Sequence, residues 1–519
     1  MSATPTSPRA GPRATPSAPA ERQPPLEMAP AEFRALGHAL VDRVADFLGT
    51  LPSRPVTPGE TPAAVRAALG GGGLPGRGTS AGPLLDEAAE LLFAHSLLNG
   101  HPRFWGYITS SAAPLGALGD LLAAAVNPNV GGWALAPLAT EVEAQTVRWI
   151  AELLGYPATC GGILVSGGNV ANFVGFLAAR RARLPWDVRR EGLRGDRPPL
   201  AVYASTDTHT WLHKAADLFG LGLDAVRWIP VDARRRMDAD ALARRVRDDR
   251  AAGALPFLVV GTAGSVSVGA VDPLDEIAAL CRDEGLWLHV DGAYGAIAAA
   301  LPDAPAALRA IAEADSVAVD PHKWLYCPLE AGCTLVRDPR HLVDAFSFHP
   351  EYYNFGGTGD EAPLNYYELG PQNSRGFRAL KVWLALRRAG REGIVRMVGE
   401  DVALAGALHA AVAAHPELEA RTLALSIATF RYLPRDLAAR AAAAEVAEYL
   451  NALNRALLDR LQVGGEAFVS NAVLDDVFLL RACIVNFRTT LGDVEALPEI
   501  VARHGRELDG EMRPAALRG

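Results

Sequence analysis

Hydrophobic positions along the chain follow two periodicities that predict different elements. From Met28, apolar residues recur at three- and four-residue spacing, which predicts an amphipathic helix ending before Pro52 and Pro55. Between about Cys160 and Arg337, short continuous apolar runs alternate with helical stretches. The runs are GGILVSGG, LAVYAS, PFLVVGT, LWLHVDGAYG and SVAVD. Continuous β-rich runs separated by helices predict an α/β domain with a mainly parallel sheet covered on both faces.

The chain changes character towards both ends. The first 25 residues hold seven prolines, so this stretch can neither sustain a helix nor bury enough apolar surface to offset its ordering entropy. After about residue 380, Ala-rich helical patterns and two strand-like runs, LSIATFRYL and LRACIVNFRTT, indicate a smaller α+β domain. We therefore expect a disordered tail (1–27), an N-terminal helical segment (28–113), a large domain (114–380) and a small C-terminal domain (381–519).

Composition and charge narrow the classes of function. The 519 residues carry 50 Lys and Arg against 59 Asp and Glu, with no long basic run for a nucleic-acid backbone or an anionic membrane surface. Two uncharged windows, 157–179 and 252–271, are interrupted by Gly, Ser, Asn or Pro, which is wrong for a membrane span and typical of buried strands meeting turns. The five cysteines form no CxxC pair, so neither a disulfide framework nor a metal site is indicated, and a cytoplasmic location is expected.

The segment Asp320-Pro-His-Lys-Trp-Leu-Tyr places a lysine directly after a predicted strand, SVAVD. Ligands of open α/β sheets bind at the carboxyl ends of the strands, so Lys323 lies where a site is expected. A lysine taken alone is most often a solvated surface charge. Here Pro, His, Trp and Tyr surround it, and a lysine partly removed from water is more readily neutral, the form that attacks carbonyl groups. The pattern indicates a Schiff-base lysine.

A second predicted strand, LWLHVDGAYG, ends in a single carboxylate, Asp291. A buried carboxylate must find a cationic partner or become neutral. The protonated ring nitrogen of pyridoxal phosphate is such a partner, and the carboxylate in turn keeps that nitrogen charged. The other interpretation is an Asp that caps the start of a following helix.

The run Ile163-Leu-Val-Ser-Gly-Gly-Asn is a predicted strand that turns through glycines into an apolar helix. Free N–H groups at a helix start, with small residues that allow close approach, bind a phosphate. The segment matches neither GxGxxG with its downstream acid nor GxxxxGK[ST]. A dinucleotide or nucleoside triphosphate site is therefore not supported.

Two further strand ends offer side chains to the same edge of the sheet. His209, in YASTDTH, carries an imidazole able to stack on a flat cofactor ring, although a lone histidine is more often packed or on the surface. Thr262, in VVGT, ends a strand with a hydroxyl able to bond a ring substituent. Lysine, carboxylate, imidazole, hydroxyl and glycine turn together point to one cofactor, pyridoxal 5'-phosphate.

The order SGGN, TDTH, GTAGSVSVGAVDPLDEIA, HVDGAYG and DPHKW resembles the aromatic-L-amino-acid decarboxylase family, the group II pyridoxal-phosphate decarboxylases of fold type I. The likeness runs from about residue 28 to the end and is strongest from His101 to Trp383, and its most specific parts are HVDGAYG and PHKW. The resemblance implies a fold type I α/β architecture with a seven-stranded sheet. It also implies decarboxylation of an L-amino acid, with aromatic side chains favoured, to an amine and carbon dioxide.

The resemblance further implies roles for individual residues. Lys323 would hold the cofactor covalently, Asp291 would pair with the ring nitrogen, and His209 would stack on the ring. The implied cofactor-binding residues are Gly168, Asn169, His209, Thr262, Asp291, Ala293, Asp320, His322 and Lys323. The implied substrate contacts are Tyr107, Ser110 and Trp133.

A loop tyrosine and a second copy of the chain are also implied. Tyr352, in HPEY, falls where the family has a tyrosine that protonates the substrate carbon after carbon dioxide leaves, and spacing does not distinguish it from Tyr353. Relatives with Phe there form aldehydes by oxidative deamination, so a tyrosine favours simple decarboxylation. The family forms homodimers with active sites at the interface, which implies that the Met28–Ala113 segment wraps over the neighbour.

Three places depart from the family pattern. Asn169 and Val170 stand where many relatives have Ser or Thr and Glu, and an amide can still bond a phosphate. Asp320 replaces an Asn frequently found near the phosphate, and an ionised carboxylate there would repel the phosphate unless it is turned away or paired. Gly131 and Gly132 occupy a stretch where animal enzymes carry an aromatic residue in the substrate pocket.

These departures leave the substrate and the reaction open to alternatives. Histidine, glutamate and 2,4-diaminobutyrate stay possible substrates beside the aromatic amino acids. An aldehyde synthase or a carbon-carbon lyase would keep the same cofactor residues. A cofactor-free binding relative would be expected to lack Lys323 or Asp291, and both are present.

Overall fold

The computed structural model describes residues 24–348 and 363–518. This part of the chain forms fifteen α-helices and eleven β-strands. They divide into two compact units, one formed by Glu60–His95 and the residues before Leu51, the other by Leu51–Gly59 and the residues after His95.

The smaller unit contains three helices. They are α1 (Pro30–Thr50), α2 (Pro62–Leu69) and α3 (Ala81–His95). Helix α1 is the amphipathic helix predicted after Met28. Its Phe47 ring stacks on Phe93 of α3 with 4.4 Å between ring centroids, and Arg43 pairs with Asp86. None of the residues of α1 is fully buried, so its apolar face stays partly exposed.

The larger unit contains all the strands and the remaining helices of the described chain. The helices are α4 (Pro114–Val126), α5 (Pro137–Leu153), α6 (Gly168–Arg183), α7 (Val188–Glu191), α8 (Trp211–Leu218), α9 (Ala239–Ala251), α10 (Leu274–Glu284), α11 (Ala306–Arg309), α12 (Arg340–Phe346), α13 (Ala379–Ala414), α14 (Ala444–Gly464) and α15 (Leu491–Met512). The strands are β1 (Gly161–Val165), β2 (Leu200–Ser205), β3 (Val226–Ile229), β4 (Leu255–Thr262), β5 (Trp287–Asp291), β6 (Ser316–Val319), β7 (Gly332–Val336), β8 (Leu418–Ala424), β9 (Ile427–Tyr432), β10 (Ser470–Leu474) and β11 (Val477–Cys483).

Seven strands form the central sheet, in the order β1-β7-β6-β5-β4-β2-β3. Strand β7 runs antiparallel to β1 and β6, and the other neighbours are parallel, so the predicted mainly parallel seven-stranded sheet is confirmed. Side chains alternate between the two faces of a strand. On β4, Leu258 and Val260 pack into one apolar cluster and Val259 into another. Both faces of the sheet are therefore covered.

The carboxyl ends of the parallel strands bring separate motifs together. The pairing register sets Thr262 at the end of β4 beside Asp291 at the end of β5, and Asp291 beside Ala318 of β6. Asp320 and Lys323 follow β6 directly, and His209 follows β2. Residues that the sequence predicts to bind the cofactor therefore lie together at this edge of the sheet.

A second sheet forms the C-terminal part of the larger unit. Its four antiparallel strands have the order β10-β11-β9-β8 and share an apolar cluster with α13, α14 and α15. Helix α13 is long and apolar enough to cross a membrane by length and composition alone. Its backbone breaks at Gly390 (φ 65°, ψ 173°), and twelve of its residues are buried in this fold. The division into the four segments expected from the sequence stays a prediction.

Candidate active site

A cavity of about 320 Å³ opens at the carboxyl edge of the central sheet. This volume is in the range of sites for small molecules and cofactors. The lining residues are Ile108, Ser166, Gly167, Gly168, Asn169, Asn172, His209, Thr262, Gly264, Val266, Asp291, Ala293, Tyr294, Asp320, His322 and Lys323. All nine residues predicted to bind the cofactor are among them.

Lys323 presents its amine to this cavity from the loop after β6. Its Nζ lies 2.8 Å from Oδ2 of Asp320. The loop is held in place by its next residues, because the Trp324 indole and the Tyr326 hydroxyl donate hydrogen bonds of 2.9 and 2.7 Å to Asp401 of α13. Burial raises the pKa of Asp401 to about 7. The lysine therefore sits on a firmly anchored loop.

Lysine is rare in this chain, which leaves few candidates for the lysine that binds the cofactor. The sequence contains three lysines. Lys214 is exposed on α8, and Lys381 is buried, with its Nζ 3.1 Å from Asp120. Lys323 is the one of the three that lines the cavity.

Asp291 is buried at the end of β5 without a cationic partner among the described residues. Its Oδ2 accepts a 2.8 Å hydrogen bond from the Trp211 indole, and its Oδ1 accepts one of 3.2 Å from the Ala293 N–H. The next helical turn starts at Ala296 and has Gly295 as its cap, so Asp291 does not cap a helix. A buried carboxylate held by neutral donors leaves negative charge for a cationic ligand group.

His209 stands at the mouth of the cavity. Its Nδ1 accepts a 3.2 Å hydrogen bond from the Trp211 N–H, so its proton is on Nε2. The ring is accessible to solvent but partly enclosed by the cavity walls, and this desolvation lowers its pKa below the usual value. A neutral imidazole at this point is suited to stacking on a flat ring.

The turn between β1 and α6 forms the opposite end of the cavity. Gly167 adopts φ 102°, which favours glycine, and no side chain caps the helix. The N–H groups of the first helical turn therefore have no partner within the helix. A Cβ at Gly168 would lie 2.6 Å from Oδ2 of Asp320, so the close approach of the turn to the lysine loop requires glycine.

These residues fit pyridoxal phosphate. The first-turn N–H groups suit its phosphate, the uncompensated Asp291 carboxylate suits its protonated ring nitrogen, and the Lys323 amine suits its aldehyde. Thr262 Oγ1 is buried in the lining and has no hydrogen-bond partner among the described residues, which leaves it available to a ring substituent. The roles of individual residues stay predictions.

The residues predicted to contact the substrate lie outside the cavity lining. Ser110 is buried behind it, and its hydroxyl donates a 2.7 Å hydrogen bond to the His322 carbonyl. Tyr107 and Trp133 are exposed, and the Trp133 indole donates a 3.0 Å hydrogen bond to Glu141. Tyr352 lies outside the described residues.

Seven lining residues were absent from the predicted site: Ile108, Ser166, Gly167, Asn172, Gly264, Val266 and Tyr294. Most belong to motifs that the sequence already singled out, such as SGGN and HVDGAYG. Tyr294 shares a 2.7 Å hydrogen bond with the Ser426 hydroxyl at the turn between β8 and β9, which ties the small sheet to the cavity wall. The sequence could not have identified this contact, because Tyr294 and Ser426 are far apart along the chain and come together only in the folded structure.

Comparison with known proteins agrees with this geometry. Residues 77–431 match the family described as "Pyridoxal-dependent decarboxylase conserved domain". The chain belongs to this family. It is a pyridoxal-phosphate-dependent amino-acid decarboxylase, as the sequence resemblance predicted.

Relatives of this pyridoxal-dependent decarboxylase match it over nearly all of its length. An aromatic-L-amino-acid decarboxylase of Bacillus atrophaeus is 33% identical over 466 residues, which cover 90% of this chain and 94% of the relative. The structure of Oryza sativa TDC with PLP and tryptamine has a TM-score of 0.85 at 28% identity and covers 94% of this chain and 100% of that one. Rhodiola rosea 4-hydroxyphenylacetaldehyde synthase has a TM-score of 0.80 at 26% identity, with 94% and 100% covered.

Asp320→Asn should raise the affinity of the cofactor-free decarboxylase for pyridoxal 5'-phosphate. The Asp320 carboxylate pairs with Lys323 and lies against Gly168, at the end of the cavity that suits the phosphate. A like charge a few Å away weakens phosphate binding, and we expect a gain of about fivefold when the charge is removed.

The comparison with pyridoxal, which has no phosphate, isolates this effect. The variant lacks the Asp320–Lys323 ion pair whichever compound binds, so this loss affects the binding of both compounds alike. The two compounds differ only in the phosphate, so a change in the ratio of their affinities reports on the phosphate. Titration of the cofactor-free protein, followed by absorbance, gives both dissociation constants. An unchanged ratio of the two constants would show that Asp320 does not act on the phosphate.

Proposed function

We propose that this enzyme removes the carboxylate of an L-amino acid with an aromatic side chain and releases the corresponding amine. The observation that carries the proposal is the shared cavity, which Lys323 and Asp291 both line. The lining positions not assigned to the cofactor include Ile108, Val266 and Tyr294, which suit an apolar, flat side chain. The aromatic relative from Bacillus atrophaeus supports the same substrate class.

The chain's own residues supply binding, charge and protons in this proposal. Pyridoxal phosphate, when bound, supplies an electron sink for the electron pair that the departing carboxylate leaves behind. Lys323 would hold the cofactor through its amine, and the buried Asp291 carboxylate would pair with its ring nitrogen. His209, with its proton on Nε2, can stack and donate from that atom. The cavity walls orient the substrate, which favours loss of the carboxylate over other bond cleavages.

A panel of L-amino acids tests the substrate class. Tryptophan, tyrosine, DOPA and phenylalanine should release equimolar carbon dioxide and amine, each measured separately. Histidine, glutamate and 2,4-diaminobutyrate should release at least about tenfold less, because the Ile108 and Val266 side chains offer a polar substrate side chain no hydrogen-bond partners. Preference for one of the polar substrates would refute the aromatic assignment and leave the cofactor assignment intact.

The product also separates decarboxylation from aldehyde synthesis, the activity named for the Rhodiola rosea neighbour. We propose that Tyr352 delivers the proton that completes the amine. Tyr352→Phe should therefore divert most of the product towards aldehyde, ammonia and hydrogen peroxide, with consumption of oxygen. Amine, aldehyde and peroxide are quantified in the same reaction.

Tyr353→Phe is the matched control for this loop, because it removes the same hydroxyl from the adjacent residue. It should keep amine as the main product. If Tyr353→Phe diverts the product and Tyr352→Phe does not, the proton donor is Tyr353. If neither variant forms aldehyde, the acid lies elsewhere in the protein.

We also propose that the enzyme is a homodimer. On α4, four apolar side chains are exposed and only two glycines are buried. The exposed residues are Leu118, Leu121, Leu122 and Val126. Several exposed apolar side chains on one helix are typical of an interaction surface. Leu122→Lys should shift the particle measured by sedimentation from twice the chain mass towards the mass of one chain, whereas an unchanged mass would place the interface elsewhere.

A further inference from the structure

A continuous chain of buried hydrogen bonds runs behind the glycine turn. The Asn172 amide donates to the Gly168 carbonyl at 2.8 Å, and its oxygen lies 2.8 Å from His289 Nε2. His289 Nδ1 lies 2.7 Å from the Ser316 hydroxyl, which also accepts a 2.8 Å hydrogen bond from the Trp287 indole. We call Asn172, His289, Ser316 and Trp287 the His289 chain.

One arrangement of protons satisfies every member of the His289 chain. The Gly168 carbonyl can only accept, so the Asn172 NH2 group faces it and the Asn172 oxygen faces His289 Nε2. A neutral ring with its proton on Nε2 has Nδ1 as an acceptor, so the Ser316 hydroxyl donates to Nδ1 while its oxygen accepts from the Trp287 indole. Burial lowers the pKa of His289 to about 4, so the ring is neutral and its proton is on Nε2. That proton goes to the Asn172 oxygen, and the Asn172 amide is left to donate to Gly168. The chain therefore has a fixed direction towards the turn.

Sheet register and helix periodicity assemble the His289 chain. His289 of β5 and Ser316 of β6 are direct register partners. Asn172 lies one turn after Gly168 on α6, and Gly175 lies about one turn further on. A Cβ at Gly175 would lie 2.5 Å from the His289 ring, so glycine there is what lets the helix approach the histidine.

We propose that the His289 chain positions the phosphate end of the cofactor. By holding the Gly168 carbonyl inside the protein, Asn172 keeps the N–H groups of the same turn directed at the cavity, and its own side chain lines that cavity. His289 also meets the Trp211 ring edge-on at 5.8 Å, and Trp211 donates to Asp291. His289, Ser316 and Trp287 are positioning residues and not catalytic ones. The proposal rests on the assignment of the glycine turn to the phosphate.

The test measures the binding of two cofactor forms to the full chain stripped of cofactor. Pyridoxal 5'-phosphate and pyridoxal differ only in the phosphate, so a change in their affinity ratio reports on the turn. His289→Leu should weaken binding of the phosphate form about tenfold and change pyridoxal binding less than about twofold, since one buried hydrogen-bond chain is lost. His289→Gln should recover most of the affinity, because an amide can accept from Ser316 and donate to Asn172.

Ser316→Ala and Thr334→Val form a matched pair of milder changes. Each removes one buried hydroxyl beneath α6, but Thr334 donates to the Ala171 carbonyl at 2.8 Å and is outside the His289 chain. Ser316→Ala should lower the affinity for the phosphate form about threefold, and Thr334→Val should leave it unchanged. Circular dichroism melting shows which variants fold. If His289→Leu does not fold, the comparison of Ser316→Ala with Thr334→Val tests the role of the His289 chain.

Three outcomes overturn the inference. Equal losses of affinity for pyridoxal and for pyridoxal 5'-phosphate in the His289→Leu protein would show that the His289 chain has only a general structural role. Equal effects of Ser316→Ala and Thr334→Val would do the same. Unaltered binding by a folded His289→Leu protein would show that the turn holds its shape without the chain. If the unaltered protein itself does not favour the phosphate form, it is the assignment of the turn that fails.

Discussion

Replacing Lys323 by alanine should abolish amine formation, with kcat lowered by about a thousandfold or more. Among the three lysines of the chain, it is the one whose amine lines the cavity, so no other lysine there can hold the cofactor covalently. The same change should remove covalent attachment. Treatment of the loaded protein with borohydride, followed by mass spectrometry, should show the added cofactor mass in the unaltered chain and not in the variant.

Lys214→Ala is the control for this experiment. Lys214 is exposed on α8 and does not line the cavity, so its loss should preserve both turnover and the trapped mass. Appreciable amine formation by a folded Lys323→Ala protein would exclude covalent attachment at Lys323 as a requirement. A trapped mass on a peptide containing Lys381 would assign the cofactor to that lysine instead.

Asp291→Asn should lower kcat by about a hundredfold or more, because the amide carries no charge to hold a cationic ring nitrogen in a buried site. The amide oxygen can still accept the hydrogen bond from the Trp211 indole, so packing at the end of β5 is retained. The KM should change much less than kcat, since the substrate's own contacts are unaltered. Steady-state kinetics with the best substrate of the panel measures both constants.

Asp401→Asn provides a matched control. Asp401 is also a buried carboxylate that accepts an indole hydrogen bond, here from Trp324, but it does not line the cavity. Asp401→Asn should lower kcat by less than about tenfold. If the two variants lose activity equally, the loss comes from removing a buried carboxylate near the site, and Asp291 has no special role towards the ring.

Much of the fold could be predicted because buried parallel strands are continuous apolar runs. The five runs named in the sequence correspond to β1, β2, β4, β5 and β6. Strand β7 follows the Lys323 loop without an intervening long helix and pairs antiparallel with β1, far away in sequence. No local periodicity encodes such a pairing, and the count of seven strands came from the family resemblance.

The candidate site also contains some residues that could be predicted from the sequence and others that could not. Lys323, Asp291, His209 and Thr262 could be predicted because each lies at or just after the end of a strand, and the carboxyl ends of parallel strands meet at one edge. Ala293, Asp320 and His322 came from the family resemblance. Asn172 and Ser316 could not, since an amide on a helix and a hydroxyl on a strand become partners of His289 only through register and approach. The substrate contacts Tyr107 and Trp133, the loop acid Tyr352 and the cytoplasmic location stay predictions.

The scarcity of lysine has a practical consequence for handling the enzyme. Aldehydes such as the free coenzyme form spurious adducts with accessible amines, and lysine-rich proteins accumulate them when the coenzyme is in excess. Here Lys381 is buried in an ion pair and Lys214 is the one lysine that is well exposed. Reconstitution with surplus coenzyme should therefore approach one equivalent per chain with little background, and the colour of the preparation can be used to count intact sites.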